Sequence, residues 1–317
     1  MQYRNLGEGG PTVSAIGFGG MVLSPGVYDE VDDAQSRRTL QAGIESGLTF
    51  LDTADIYGDG HNERLLSQVL QDHRDDLVVA TKFGMVLEGE AAGDVQMSRN
   101  GTPEYVRESI DASLDRLGVD QIDLYYLHRV DPATPLEETV QAMAELVDEG
   151  KVKHIALSEV SGDELRRAND IHPITAVQSE YSLFHRDPER DILPVCRELG
   201  VGFVPFSPLG RGLLTGNLDL EVTDGFRQSL PRFQDENLER NLELAAQAKE
   251  VATDVGVSLP QLALSWLLHQ GDHVVPIPGT RSADHLKSNL AAADIELDET
   301  TLDRIEDVLP YGAVADS

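Results

Sequence analysis

One cysteine, five lysines, one tryptophan and no apolar run long enough to cross a bilayer put several protein classes out of reach of this 317-residue chain. The lone Cys196 cannot close an intramolecular disulfide, and the apolar pattern DILPVCREL sets it on a helix facing a core, so a reducing cytoplasm is the expected compartment. A membrane span needs roughly 20 apolar residues, and none of the runs approaches that. The polar, glycine-rich start MQYRNLGEGGP carries no apolar signal core either, so neither a membrane partner nor export is expected. The lysines are Lys82, Lys151, Lys153, Lys249 and Lys287; the rest of the 25 basic residues are arginine, and 56 acidic residues bring the net charge to -31. Such a surface repels nucleic acid. It resembles that of proteins from salt-loving organisms, where a Debye length of about 3 Å in molar salt lets dense carboxylates coexist.

With 40% hydrophobic residues the chain can bury a large core, and residues 1–317 read as one domain. Eight short apolar runs recur: 13–19, 48–53, 77–83, 122–128, 153–158, 174–179, 201–207 and 273–279. Helical patterns such as TPEYVRESIDASLDRLG separate them, with Thr102 placed to cap, Pro103 in the first turn, and Gly118, Gly150 and Gly200 closing three helices. Continuous apolar strands imply a parallel sheet covered on both faces, and eight βα units match a closed (β/α)8 TIM barrel, with a doubly wound open sheet as the alternative. Two polar insertions, Met85 to Gly101 and Leu213 to Asn237, follow the third and seventh strands, which in a barrel puts them at the active-site face.

Catalytic residues in such barrels stand at strand C-terminal ends. Asp52, Lys82, His128, Ser158 and Gln178 fall there, with Tyr57 five residues past Asp52. A tyrosine with a pKa near 10 transfers protons poorly at neutral pH, but a neighbouring ammonium stabilises its phenolate and a carboxylate keeps that ammonium charged. A histidine beside them could orient a carbonyl oxygen. No metal site is expected: His269 and His273 are separated by a Gly271-Asp272 turn, and DEVDD (29 to 33) lacks spaced cation ligands.

The succession LDTADIYGDGHNERLL, ATKFG, SLDRLGVDQIDLYYLHRVDP, VQSEYSLF, FVPFSPLGRGLLTG and PIPGTRSADHLKSNLAA resembles the aldo-keto reductases, in particular the bacterial and plant-type branch, along nearly the whole chain. The resemblance implies NADPH-dependent reduction of a small aldehyde or ketone, with Asp52, Tyr57, Lys82 and His128 as catalytic tetrad and Tyr57 as proton donor, its pKa lowered by Lys82 and Asp52. It implies cofactor contacts from Gly20, Met21 and Asp52, a nicotinamide carboxamide held by Ser158 and Gln178, and Tyr181 stacking on the ring. Ser207, Pro208, Leu209 and Gly210 match the loop over the pyrophosphate, and Gly279, Arg281, His285, Ser288 and Asn289 the adenosine end. Arg281 is the candidate for the 2'-phosphate. Three positions depart from the family pattern: Glu159 where Asn is frequent, His285 where Arg or Gln is usual, and Ser288 where Glu or Gln often contacts adenine; NADH therefore stays possible. Tyr28, Arg99, Arg227 and Arg232 are the interpretable anchors of the substrate loops, and a monomer or weak homo-oligomer is expected. The alternative, permitted by resemblance to the β subunits of potassium channels, is a cofactor-binding regulator with little turnover; a metal hydrolase on the same barrel is a third reading. From the charge alone, Tm and activity are expected to rise as KCl approaches molar concentration; thermal scans across a KCl series test this, and a flat response overturns the salt argument.

Overall fold

The computed structural model describes residues 1–25, 31–88, 96–216, 227 and 229–314. Among these described residues, seven strands form one parallel sheet in the order β11-β10-β9-β8-β5-β4-β3, where β3 is Phe18–Gly19, β4 Phe50–Asp52, β5 Val78–Phe83, β8 Ile122–Leu127, β9 Val152–Ser158, β10 Ala176–Glu180 and β11 Gly202–Phe206. The eighth expected strand closes the ring without regular strand pairing. Val275 and Ile277 donate their N–H groups to Phe203 and Pro205 of β11 at 2.9 and 3.0 Å, while Pro276 and Pro278 accept from Gly17 and Gly19 at 2.9 and 3.3 Å. Both prolines sit where only a carbonyl is used, so the missing N–H groups leave no gap in the seam.

The first expected strand, 13–19, divides. Thr12–Ser14 (β2) pairs antiparallel with Tyr3–Asn5 (β1) as a separate hairpin, and only Phe18–Gly19 joins the barrel. Leu6 and Val13 of this hairpin region pack with Phe50, Ala80, Leu124, Tyr126, Ala156, Ala176, Val204, Val275 and Ile277 into a compact inner cluster. These are alternate residues of successive strands, so they define the inward face of the barrel. Their neighbours Leu51, Val79, Phe83, Tyr125, Leu127, Leu157, Val177 and Phe203 belong to a second, larger core shared with the helices. Strand parity thus separates a narrow interior, plugged at its base, from the layer that holds the outer ring.

That ring is α1 (Asp33–Glu45), α2 (His61–His73), α3 (Pro103–Leu117), α4 (Leu136–Asp148), α5 (Gly162–Asn169), α6 (Ile192–Leu199), α7 (Asp235–Asp254), α8 (Leu259–His269), α9 (Ala283–Ala291) and α10 (Glu299–Val308). Thr102 caps α3 with Pro103 in its first turn, and Gly118, Gly150 and Gly200 take left-handed φ values of 66, 76 and 69° after their helices, as expected. Cys196 is buried in α6, and burial raises its thiol to about 12. Among the described residues no single helix is long and apolar enough to cross a membrane. The insertion after β5 contains a hairpin, β6 (Met85–Glu88) with β7 (Gln96–Arg99), in antiparallel register Met85 to Arg99. Residues 89–95, and residues 217–226 and 228 of the second insertion, lie outside the described residues, as does Tyr28.

At the seam, a Cβ on Gly19 would stand 2.6 Å from the Ile277 carbonyl oxygen, which is itself fixed between two strands. Gly19→Ala is therefore expected to cost about 1–3 kcal/mol as overpacking, read as a Tm lower by several degrees; an unchanged Tm would mean that the proline segment yields.

Candidate active site

Inward parity decides what reaches the mouth. Continuing each inner row by two residues beyond the apolar layer gives Asp52 after Phe50, Lys82 after Ala80, His128 after Tyr126, Ser158 after Ala156, Gln178 after Ala176 and Phe206 after Val204. The floor of the mouth is hydrocarbon and its rim is polar.

Lys82 is 0% exposed, a position an ammonium tolerates only with full compensation. Its Nζ donates to Asp52 Oδ1, to the Thr53 carbonyl at 2.7 Å and to Tyr57 Oη at 3.4 Å. Asp52, also buried, accepts on its other oxygen from Gln178 Nε2 at 2.8 Å. Burial opposes the charge on Lys82, but Asp52 and Tyr57 outweigh it, so its pKa lies above the ordinary lysine value. Burial likewise raises Tyr57; Lys82 pulls that pKa down, whereas Asp52 pushes it up. The expected lowering of the Tyr57 pKa is therefore corrected: only Lys82 of the pair acts in that direction, and burial prevails. His128 meets Tyr57 edge to face, with ring centroids 5.8 Å apart. Burial, then Lys82 and Arg129, drive its pKa well below the ordinary histidine value, so its imidazole is neutral, and its buried Nδ1 has no hydrogen-bond partner among the described residues.

Tyr181 is a second correction. It lies just past β10, the strand that carries Gln178, in the larger core shared with the helices, is 0% exposed, packs against Phe203 and Trp266 at 5.9 and 5.4 Å between centroids, and bonds Glu189 through its hydroxyl at 3.0 Å. It offers no ring face to the mouth. Phe206 is the half-buried aromatic of inward parity, and alternation from Val204 was the signal that could have found it. The following loop is strained: Ser207, Gly210, Arg211 and Gly212 have φ values of 49, 59, 55 and 111°, two of them non-glycine. Pro208 is buried, and Leu209 half-buried.

Gly20 and Met21 form a short turn after β3. A Cβ on Gly20 would lie 2.7 Å from the Asp52 carbonyl and 2.6 Å from Asn62 Oδ1, so only glycine fits beside the catalytic strand. Buried Asn62 staples this turn by donating to the Gly20 carbonyl at 2.8 Å while accepting from Thr53 Oγ1 at 2.7 Å. Across the seam, Gly279 and Arg281 precede α9. Arg281 Nε donates to the Val22 carbonyl at 3.1 Å, and the Arg281 carbonyl accepts from Thr39 at 2.8 Å. His285 is exposed, Ser288 half-buried and Asn289 buried on that helix. The departure at Glu159 has a backbone consequence: its φ is 55°, a left-handed value that suits Asn better than Glu. Its carboxylate accepts from the Glu180 N–H at 2.8 Å.

Arg232 is corrected as a substrate anchor. It is 4% exposed and donates to Glu180 Oε1 at 2.7 Å, while Arg211 holds the other Glu180 oxygen at 2.8 Å. Arg227 donates to the Arg211 carbonyl at 2.9 Å, and Arg99, exposed, to the Val130 carbonyl at 3.1 Å. Among the described residues no group of three His, Cys, Asp or Glu side chains converges as metal ligands.

Two residues before Tyr57, burial and the charge of Glu63 raise the Asp55 carboxyl to about 7, and Asp55 Oδ1 has no hydrogen-bond partner among the described residues. A carboxyl raised in the fold favours folding while protonated, so its contribution is complete below the unfolded value near 4 and is lost as pH rises through about 7. Asp55→Asn removes that titration. Its Tm relative to the parent is expected to improve by several degrees between pH 5 and pH 9; thermal melts of both proteins read this, and parallel curves would refute it.

The sequence matches the Aldo/keto reductase family over residues 15–310. A probable aldo-keto reductase 1 of Glycine max is 45% identical over 318 aligned residues, covering 99% of this chain and 91% of the relative. The solved structure of a glycerol dehydrogenase from Gluconobacter oxydans superposes with a TM-score of 0.88 at 27% identity, covering 97% of this chain and 94% of that one. By fold, by the length of the match and by sequence, the chain belongs to the aldo-keto reductase family.

Proposed function

We propose that this aldo-keto reductase reduces a small aldehyde or ketone to the alcohol with NADPH, reversibly, using Tyr57 as proton donor. The observation that carries the reading is a fully buried Lys82 held by Asp52 and reaching Tyr57 Oη at 3.4 Å. Residues at the mouth suit a nicotinamide cofactor. Phe206 presents an apolar ring, Ser158 and Gln178 stand on adjacent strands to hold an amide, and the strained 207–212 turn exposes backbone beside them. Arg281, ahead of the Ser282-capped α9, suits an adenosine 2'-phosphate, which favours NADPH, with NADH as a weaker substitute.

Held by Phe206, Ser158, Gln178 and the 207–212 turn, a nicotinamide cofactor would supply the hydride for the carbonyl carbon. Tyr57 passes its phenolic proton to the carbonyl oxygen. Its raised pKa keeps that proton in place at neutral pH, and the Lys82 ammonium stabilises the phenolate left behind. Asp52 holds Lys82 charged and Gln178 holds Asp52. Neutral His128 donates one N–H toward the same carbonyl oxygen, orienting it without competing as an acid. The reading takes residues 1–317 as one catalytic unit, acting in the cytoplasm as a monomer or weak oligomer and adapted to high salt. The glycerol dehydrogenase of Gluconobacter oxydans supports alcohol and carbonyl chemistry on this framework.

Tyr57→Phe is expected to lower carbonyl-dependent NADPH oxidation at least about a thousandfold, within the range of a lost acid catalyst, while NADPH binding, followed by its fluorescence, persists. Turnover retained by this variant would remove Tyr57 from the role.

A further inference from the structure

We propose that the carbonyl substrate carries a carboxylate and that Arg129 binds it. This rests on the reductase reading above. Arg129 follows His128 directly, and the end of β8 is fixed by the His128 N–H on the Phe83 carbonyl at 2.8 Å. Its side chain is half-buried, and Nη1 makes both of its hydrogen bonds, to the His128 carbonyl at 2.7 Å and to Ser158 Oγ at 3.1 Å. Among the described residues Nε and Nη2 make none. These two nitrogens form the side-on edge of a guanidinium, the edge that matches the two oxygens of a carboxylate.

A half-buried guanidinium whose side-on edge stays accessible from outside can receive a carboxylate there. No described residue fills it. Glu159 is the acidic group whose charge Arg129 feels most, but it is exposed, directs Oε1 to the Glu180 N–H, and forms no ion pair with Arg129 among the described residues. Arg99 and Arg211 also act on Arg129, and the Glu180 carboxylate is already taken up by Arg211 and Arg232. Tyr57 and His128 feel the Arg129 charge in turn, so the guanidinium lies within electrostatic reach of the Tyr57 oxygen. In a chain of net charge -31 this is a local reversal of sign at the mouth, of the kind that selects an anion. The class that fits is a 2-oxo acid or a small aldehyde bearing a carboxylate.

The test compares kcat/KM for matched pairs at one fixed KCl concentration: pyruvate with methyl pyruvate, and 4-carboxybenzaldehyde with methyl 4-formylbenzoate. For at least one pair, Arg129→Met is expected to lower the acid-to-ester ratio by roughly 30-fold or more, as for loss of a charge-assisted fork. Arg129→Lys, which keeps the charge without the fork, is expected to recover part of it and serves if the methionine variant does not fold. Equal losses on acid and ester would overturn the proposal, because Arg129 would then act only by positioning His128 and Ser158. Turnover of both esters with neither acid accepted also overturns it while leaving the reductase reading intact. NADPH consumed with none of the four compounds would count against both.

Discussion

An ammonium with no solvent exposure at the top of an apolar barrel is stable only while its compensating groups stay in place, and most of the mouth follows from satisfying Lys82. Asp52 must come from the neighbouring strand, on the same inward parity, to meet it. The second Asp52 oxygen then needs a donor, and Gln178 supplies one from across the barrel. The Thr53 carbonyl takes another ammonium hydrogen, which fixes the start of the loop that returns Tyr57 over the lysine. Removing one partner of such a pair leaves a buried charge uncompensated, a loss of about 3–5 kcal/mol. Stability and chemistry therefore depend on the same contacts.

The network also divides labour among the titrating groups. Burial alone would make Tyr57 a weaker acid and Lys82 a weaker cation. Asp52 restores the cation, and the cation limits the cost of the phenolate. Burial first, then the charges of Lys82 and Arg129, disfavours protonated His128 and leaves its imidazole neutral. The glycine turn at Gly20 and the Asn62 staple keep the first strand against Asp52 so that this arrangement is not loosened from the side.

Most of this was legible because strand-end polar residues interrupt otherwise apolar runs, which is how Asp52, Lys82, His128, Ser158 and Gln178 stood out. The misreadings have a common cause in parity. Tyr181 stands three positions after Gln178, an odd number, so it points to the helical layer, whereas Phe206 stands two after Val204 and points inward. A run read only as continuous and apolar carries no parity, and the same loss joined Val13 to the barrel when it belongs to the base hairpin. The closing segment was legible despite its prolines because each spares a donor that the seam does not use. Arg232 was misread for a different reason: its partner Glu180 lies 52 residues away, and local sequence does not show that pairing.

Charge is distributed with the same economy. The surplus of carboxylates is a property of the surface, where solvent and salt screen it. At the strand ends the balance reverses, with Arg211 and Arg232 both on Glu180, Arg227 against the Arg211 backbone, and Arg129 beside the tetrad. Arginine suits this place better than lysine, since a planar guanidinium can serve a carbonyl, a hydroxyl and a carboxylate at once and is less costly to desolvate. One lysine is kept inside the mouth, fully buried, where its ammonium meets the Asp52 carboxylate and the Tyr57 phenol oxygen. The scarcity of lysine elsewhere is thus a feature of the surface, and Lys82 answers to a separate requirement set by Tyr57.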